Sequence, residues 1–213
     1  MGQIHPIYSS VVFDFGGVLI DWDARYLYRK FFKDDSAAME RFLSDVHFME
    51  WNQQQDKGRS FAEGVAELSA QFPHYADLIR AYDQRWEESI SGPIQPVVDI
   101  LRSLKEAGYH LYGMTNWSSE KFYQVRPKYE FFSWFEEIVV SGEVKLIKPD
   151  RRIFDLFLAQ IGRTAAECVY IDDSAANVVA AAGLGFQTIR FESPAQLKTD
   201  LQRFGLLQQN GHR

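Results

Sequence analysis

The chain is expected to fold as an α/β protein, a Rossmann-like parallel sheet carrying an inserted α-helical cap. Two observations predict this. Short apolar runs that end in polar or glycine residues recur, and from residue 92 onward they alternate with amphipathic stretches, as parallel strands joined by crossover helices do. Between the first and second of these runs, residues 23–91 show helical spacing and no good strand. The expected division is therefore a core of residues 1–22 and 92–213 and a cap of residues 23–91.

In chain order, Val11, Val12 and Phe13 form the first strand, and Asp14 stands where it turns into Gly16-Gly17. Open α/β sheets bind ligands outside the carboxyl ends of their strands, and glycines there let backbone N–H groups approach an anion. The cap helices are read from apolar residues three or four apart: Leu27 and Phe31, then Met39, Phe42 and Val46, then Phe61, Val65 and Leu68, then Leu78, Tyr82 and Trp86. Breaks are expected at 33–36, 56–60 and 72–74. Ser36 and Ser60 are the expected helix caps, Ser60 forming a capping box with Glu63.

Beyond residue 92 a helix is expected over 97–107, ended by Gly108, then a strand over 109–114. A helix from residue 118 precedes a strand over 138–140, and Asp150 caps the next helix. A strand over 168–171 leads into a helix over 174–182 ended by Gly183. A last strand over 188–191 precedes a helix opened by Ser193-Pro194.

The net charge of −6 and pI of about 5.4 supply no basic stripe, so neither nucleic acid nor an anionic membrane is an expected partner. The single cysteine, Cys168, falls in a predicted buried strand and is expected to be an inert packed thiol. Residues 1–6 lack a charged segment followed by an apolar core, and no apolar run approaches a membrane span. A cytoplasmic monomer or homodimer is the expectation.

Four sets of polar residues follow predicted strands: Asp14, Thr115-Asn116, Lys148-Pro149-Asp150 and Asp172-Asp173-Ser174. If the strands are parallel neighbours, the sets meet at one sheet edge. They then combine a carboxylate nucleophile, a hydroxyl donor, an ammonium and an acidic cluster, the parts that phosphoryl transfer through an aspartyl phosphate requires.

With Phe13-Asp14-Phe15-Gly16-Gly17-Val18-Leu19, Met114-Thr115-Asn116, Lys148-Pro149-Asp150 and Ile171-Asp172-Asp173-Ser174-Ala175-Ala176-Asn177 in this order, the chain resembles the haloacid dehalogenase superfamily of aspartate-nucleophile hydrolases. The resemblance implies that Asp14 is nucleophile and metal ligand, that the Gly16 carbonyl and Asp173 complete a Mg²⁺ site, and that Thr115 and Asn116 hold a phosphate. It makes Lys148 the cation that offsets the charge of nucleophile and phosphoryl group, with Asp172 and Asn177 supporting. Magnesium suits this set, since it takes one or two carboxylates plus phosphate oxygens. The implied activity is Mg²⁺-dependent hydrolysis of a small phosphorylated metabolite, a sugar phosphate among the fitting esters. Trp22 and Trp117 are the residues expected to line the entrance.

One position departs from the family's phosphatases. They carry a second aspartate two residues after the nucleophile, serving as general acid and base; here that residue is Gly16, although a subgroup of sugar-phosphate phosphatases also lacks it. Asp172 is one candidate substitute, and an activated leaving group that needs no proton is the alternative. Two rival readings share the motifs: a metal-free 2-haloacid dehalogenase, with Arg25 or Arg41 binding the substrate carboxylate, and a phosphate-binding protein without turnover. The adjacent carboxylates Asp172 and Asp173 favour the metal-dependent enzyme, because without a cation they and Asp14 repel one another.

Overall fold

A computed structural model of the chain describes residues 8–33 and 35–208, so the leader-free reading of residues 1–6 lies outside the described residues. After β1 (Ser10–Phe13) and a short β2 (Ile20–Trp22), the chain runs through five helices: α1 (Ala24–Phe32), α2 (Ser36–Asp45), α3 (Phe48–Asp56), α4 (Phe61–Gln71) and α5 (Ala76–Gln84). It returns through β3 (Ile90–Pro93). Helix and strand then alternate: α6 (Gln95–Glu106), β4 (His110–Thr115), α7 (Ser119–Val125), β5 (Glu137–Val140), α8 (Ser141–Val144), α9 (Arg151–Ile161), β6 (Cys168–Asp172), α10 (Ala175–Gly183), β7 (Gln187–Arg190) and α11 (Pro194–Arg203).

Five strands form one parallel sheet in the order β5-β4-β1-β6-β7, the expected α/β architecture. β1 lies in the middle, and its unbroken apolar sequence is what burial on both faces demands. Because successive side chains alternate, Val11 and Phe13 pack with one layer and Val12 with the other, beside Tyr112, Met114 and Tyr170. Register sets the site: Phe13 pairs with Gly113 on one side and Ile171 on the other, so Asp14, Thr115 and Asp172 emerge at the same edge. The chain builds outward from β1 through β4 to β5, then recrosses to β6. The β1/β6 boundary is therefore the topological switch point, where a crevice opens.

The five helices pack around aromatic side chains that run on into one layer of the sheet core. Tyr28 and Phe42 meet edge to face at 4.9 Å and Phe48 and Tyr82 at 4.8 Å, geometries that add to simple area burial. Trp51 is buried there and donates from Nε1 to the Gly64 carbonyl at 2.9 Å. Three features differ from the sequence reading. Ile90-Ser91, read as the end of a helical block, belongs to β3, which pairs antiparallel with β2 into a ribbon at the base of the helices. Such short strands carry no periodic signal and exist because a distant segment supplies the hydrogen bonds. At α2 the cap is Asp35, whose side chain accepts from Ala38 N, and Ser36 is the first helical residue. At the end of α10, Gly183 stays helical and Gly185 takes the left-handed turn at φ +96°.

The helical block closes over the carboxyl ends of the strands, tied down at several points. Lys121, almost wholly buried, donates to Asp83 Oδ1 at 2.6 Å and to its carbonyl at 2.9 Å, and stands 4.5 Å from the Phe61 ring. Glu120 Oε1 accepts from Phe61 N at 3.2 Å. At Gly58, φ is +95° and an added Cβ would stand 2.8 Å from the Gly142 carbonyl, so the two backbones meet where only glycine fits.

Candidate active site

Asp14 follows the last residue of β1 and is held by its first carboxylate oxygen. Oδ1 accepts from Phe15 N at 2.7 Å and lies 3.0 Å from Lys148 Nζ. Oδ2 has no hydrogen-bond donor among the described residues, which leaves it as the free nucleophilic oxygen. Lys148 is fully buried and spends its three donors on Asp14, on Asp172 Oδ2 at 2.7 Å and on the Met114 carbonyl at 2.8 Å. Its burial works against the charge, but Asp14 and Asp172 outweigh it and leave the ammonium raised above the ordinary lysine range.

Asn116 acts on the same lysine through the backbone. Its Nδ2 donates to the Lys148 carbonyl at 3.0 Å, and its Oδ1 accepts from Lys148 N at 2.9 Å. This two-point clasp joins the β4 end to the loop carrying Lys148 and leaves the second Nδ2 hydrogen, on a residue that lines the cavity, uncommitted. Thr115 is buried at the end of β4 and is not among the residues lining the cavity described below, whereas Ser118 is.

Asp172 is saturated. Lys148, Tyr170 OH, Ser174 N at 2.8 Å and Asn177 Nδ2 at 3.0 Å all donate to its carboxylate, and it has no exposed surface. The expectation that Asp172 replaces the missing acid is therefore corrected: a fully buried carboxylate engaged by four donors orients Lys148 and has no path to a leaving group. Asn177, buried beside it, serves the same anchoring.

Oxygen atoms of Asp14, Asp172 and Asp173 lie within 4.8 Å of one another. Three carboxylates face one ammonium, so burial first, with Asp172 and Asp173 adding to it, pushes Asp14 up to about 7 against the pull of Lys148. Burial and Asp172 raise Asp173 as well. This charge deficit is what a divalent cation fits, with Asp14 and Asp173 as the carboxylates not already saturated. The first glycine loop leaves room for it: Gly17 sits at φ +75°, and a Cβ there would stand 2.5 Å from Asp173 Oδ2. Gly17 N donates to the Ile20 carbonyl and Phe15 O accepts from Ile20 N, which holds Gly16 between them at the cavity wall.

The cavity has a volume of about 620 Å³, within the usual range for small-molecule sites. Asp14, Gly16, Lys148 and Asp173 form its floor; Trp22, Trp86, Trp117, Phe61 and Met49 give it an apolar roof. Both tryptophans singled out from the sequence lie here, and Trp86 and Trp117 pack at 5.6 Å. Lys148 is the only cationic side chain among the described residues of the lining. Arg25 is instead paired with Glu40 at 2.6 Å and with Asp23, and Arg41 is exposed outside the cavity.

Sequence reasoning missed Asp56, Asn52, Ser118 and Ser141. The first three line the cavity, and Ser141 fixes its seam: its Oγ accepts from Trp117 N at 2.9 Å and donates to the Asp56 carbonyl at 2.6 Å. No pattern announces them. Asp56 sits in an Asp-Lys-Gly-Arg run that reads as a solvated break between helices.

Known proteins place this arrangement. A sesquiterpene phosphatase of Aspergillus oryzae is 26% identical over 84% of this chain and 87% of its own. A D-ribitol-5-phosphate phosphatase of Bacteroides thetaiotaomicron is 22% identical over 91% of this chain and 96% of its own. In two longer relatives the match spans only 19% and 35% of the protein, so the unit also occurs within larger chains. Among solved structures, a family enzyme from Bacteroides thetaiotaomicron in complex with magnesium and inorganic phosphate superposes with a TM-score of 0.66 at 25% identity, covering 87% of this chain and 94% of that one. Residues 11–191, from the first strand to just past the last, match the model of the haloacid dehalogenase-like hydrolases, and the chain belongs to that family.

Proposed function

We propose that the protein is a Mg²⁺-dependent phosphatase that hydrolyses a small phosphomonoester through an aspartyl phosphate on Asp14. The observation that carries this reading is the floor of the cavity. One carboxylate oxygen of Asp14 is locked by Lys148 and Phe15 N while the other is free, and two further carboxylates stand within 4.8 Å. That set matches attack on a dianionic phosphate better than attack on a carbon–halogen bond. A dehalogenase has no use for the surplus negative charge and needs a cation for the substrate carboxylate, for which the cavity wall offers no arginine.

Bound Mg²⁺ would be held by Asp14, Asp173 and the Gly16 carbonyl, and it supplies charge neutralisation that lets a carboxylate and a phosphate approach. The chain's own residues do the rest. Asp14 Oδ2 attacks phosphorus in line, forming an acyl phosphate while the ester P–O bond breaks. Lys148, fixed by Asp172 and by the Asn116 clasp, keeps Oδ1 oriented and offsets charge on the reacting groups. The aromatic roof, to which residues 23–91 contribute Met49, Phe61 and Trp86 as a cap and the core of residues 1–22 and 92–213 contributes Trp22 and Trp117, excludes water and receives the leaving alcohol. Two relatives named as phosphatases, and a family structure containing magnesium and phosphate, support the reading.

The test is phosphate release from a panel of phosphorylated metabolites with Mg²⁺, chloroacetate being included as the rival substrate. Wild-type turnover of a phosphate ester and its loss in Asp14→Asn is the expected outcome. Chloride release from chloroacetate that persists in chelator would replace this reading with the dehalogenase one.

A further inference from the structure

With glycine at position 16 and Asp172 saturated, the proton for the leaving group has no source on the floor of the cavity. The roof holds one. Asp56 is the last residue of α3, half-buried and lining the same cavity as Asp14, and no cationic side chain among the described residues pairs with it. We propose that Asp56, supplied by the helical block, is the general acid and base that the first motif lacks. The proposal rests on the phosphatase reading above.

Three features place Asp56 for the task. Its backbone carbonyl accepts from Ser141 Oγ at 2.6 Å, and the same hydroxyl accepts from Trp117 N, so the end of α3 is in register with the loop that follows β4. Its carboxyl group faces the Ser118 backbone N–H, and its Oδ2 accepts from Asn52 Nδ2 at 3.3 Å. Asn52 is itself oriented by Tyr82, whose hydroxyl donates to Asn52 Oδ1 at 3.2 Å. A carboxyl group on a rigid element, steered by a second layer of hydrogen bonds, is the arrangement that holds a catalytic group to within a fraction of an ångström. Burial without a cation pushes Asp56 up to about 7, the Ser118 N–H pulling the other way, and this range serves an acid that must also act as a base. Glu50, the other carboxylate of α3 on the lining, is exposed in the first turn of the helix, away from this seam.

The chemistry balances in two halves. As Asp14 Oδ2 bonds to phosphorus and the P–O bond to the leaving group breaks, the Asp56 carboxyl proton passes to the departing oxygen, giving a neutral alcohol and the Asp56 carboxylate. That carboxylate then takes a proton from a water molecule as the water oxygen attacks phosphorus. The bond from phosphorus to Asp14 breaks, inorganic phosphate leaves, and Asp14 is again a carboxylate with Asp56 protonated.

The experiment compares the full-length protein and Asp56→Asn, with Mg²⁺, on p-nitrophenyl phosphate and benzyl phosphate. Nitrophenolate departs unassisted, whereas a benzyl alkoxide needs a proton. Asp56→Asn is expected to lose about 10²–10⁴-fold in kcat on benzyl phosphate and only a few-fold on p-nitrophenyl phosphate. The amide keeps the shape of the side chain and an acceptor for Ser118 N–H, so the melting temperature should stay close to wild type. Asp56→Ser is the second variant if it does not. Gly16→Asp in the Asp56→Asn background should restore benzyl phosphate turnover, because a Cβ at Gly16 meets nothing within 4 Å. Equal losses on both esters, or none on either, would overturn the assignment of Asp56. Asp14→Asn on p-nitrophenyl phosphate is the separate control: retained activity there defeats the phosphatase reading itself, whatever Asp56 does.

Discussion

The floor and the roof of the cavity are built on opposite principles. On the floor a fixed network holds the reacting groups: Lys148 has three acceptors, Asp172 four donors, and Asn116 clasps the Lys148 N–H and carbonyl, leaving Asp14 Oδ2 and Asp173 to face the cavity. On the roof the surface is aromatic, and among the described residues the buried Trp117 indole N–H has no acceptor and the Asp56 carboxyl group no cation. The difference matches the two ends of a phosphate ester. Phosphoryl chemistry is the same for every substrate and profits from a rigid, preorganised field. A leaving group varies, and a roof with uncommitted polar groups on an apolar surface is what remains to be matched by one particular alcohol.

The contrast predicts effects of different size on the two sides. The largest should come from Asp14→Asn, which removes the nucleophile from an intact floor: kcat falls by at least about 10⁴-fold while circular dichroism stays unchanged. Retention of even a few per cent of activity would break the picture.

Lys148→Met should be nearly as damaging and, unlike Asp14→Asn, should also destabilise the fold. It leaves Asp14 and Asp172 buried without their cation, a change that typically costs about 3–5 kcal/mol. Adding Asp172→Asn should recover part of the melting temperature without recovering activity, because it removes the uncompensated charge and not the catalytic defect. A stable Lys148→Met protein would show that the floor is less tightly coupled than its distances indicate.

Asp173→Ala is expected to separate metal binding from folding. Asp173 is exposed to the cavity, so the melting temperature of the apoprotein should change little. Calorimetric Mg²⁺ affinity should fall by more than about 100-fold, beyond the loss typical of a merely supporting partner.

The smallest effect is on the roof and concerns stability against pH. Burial raises the Asp56 carboxyl from 3.8 to about 7 in the folded chain, so the folded state binds a proton there that the unfolded state releases. The stabilisation from this group is complete below about pH 4 and is lost as pH rises through about 7. The melting temperature of wild type relative to Asp56→Asn should therefore drop across that window, by an amount tempered by the partial exposure of the side chain. A constant difference would mean that Asp56 is already ionised, and the roof would then resemble the floor.

The legible part of the site was the floor. Asp14, Asp172 and Asp173 lie at or just beyond the ends of buried apolar strands, so the peptide chain itself carries them to the sheet edge, and Lys148 follows β5 after the short helix α8. What Asp172 does was not legible: Tyr170, Ser174 N and Asn177 close on it from its own strand and turn and Lys148 from a distant loop, and only their folded geometry shows all four on one buried carboxylate, which is so unable to serve as acid. The ribbon of β2 and β3 escaped for a related reason, since three or four residues carry no period and pair only because five helices bring their ends together.

By itself, then, the order of apolar runs, glycines and acids determined the parallel sheet, the helical insertion and the charged floor, because each depends on spacings within a few residues. Only the tertiary structure decided which carboxylates are spent and which are free. Asp56 lies 42 positions from Asp14 in a run that reads as solvent-exposed, and it reaches the cavity only because Ser141 ties the end of α3 to the loop after β4. Burial and hydrogen-bond partners are properties of neighbours in space, and a one-dimensional pattern does not contain them.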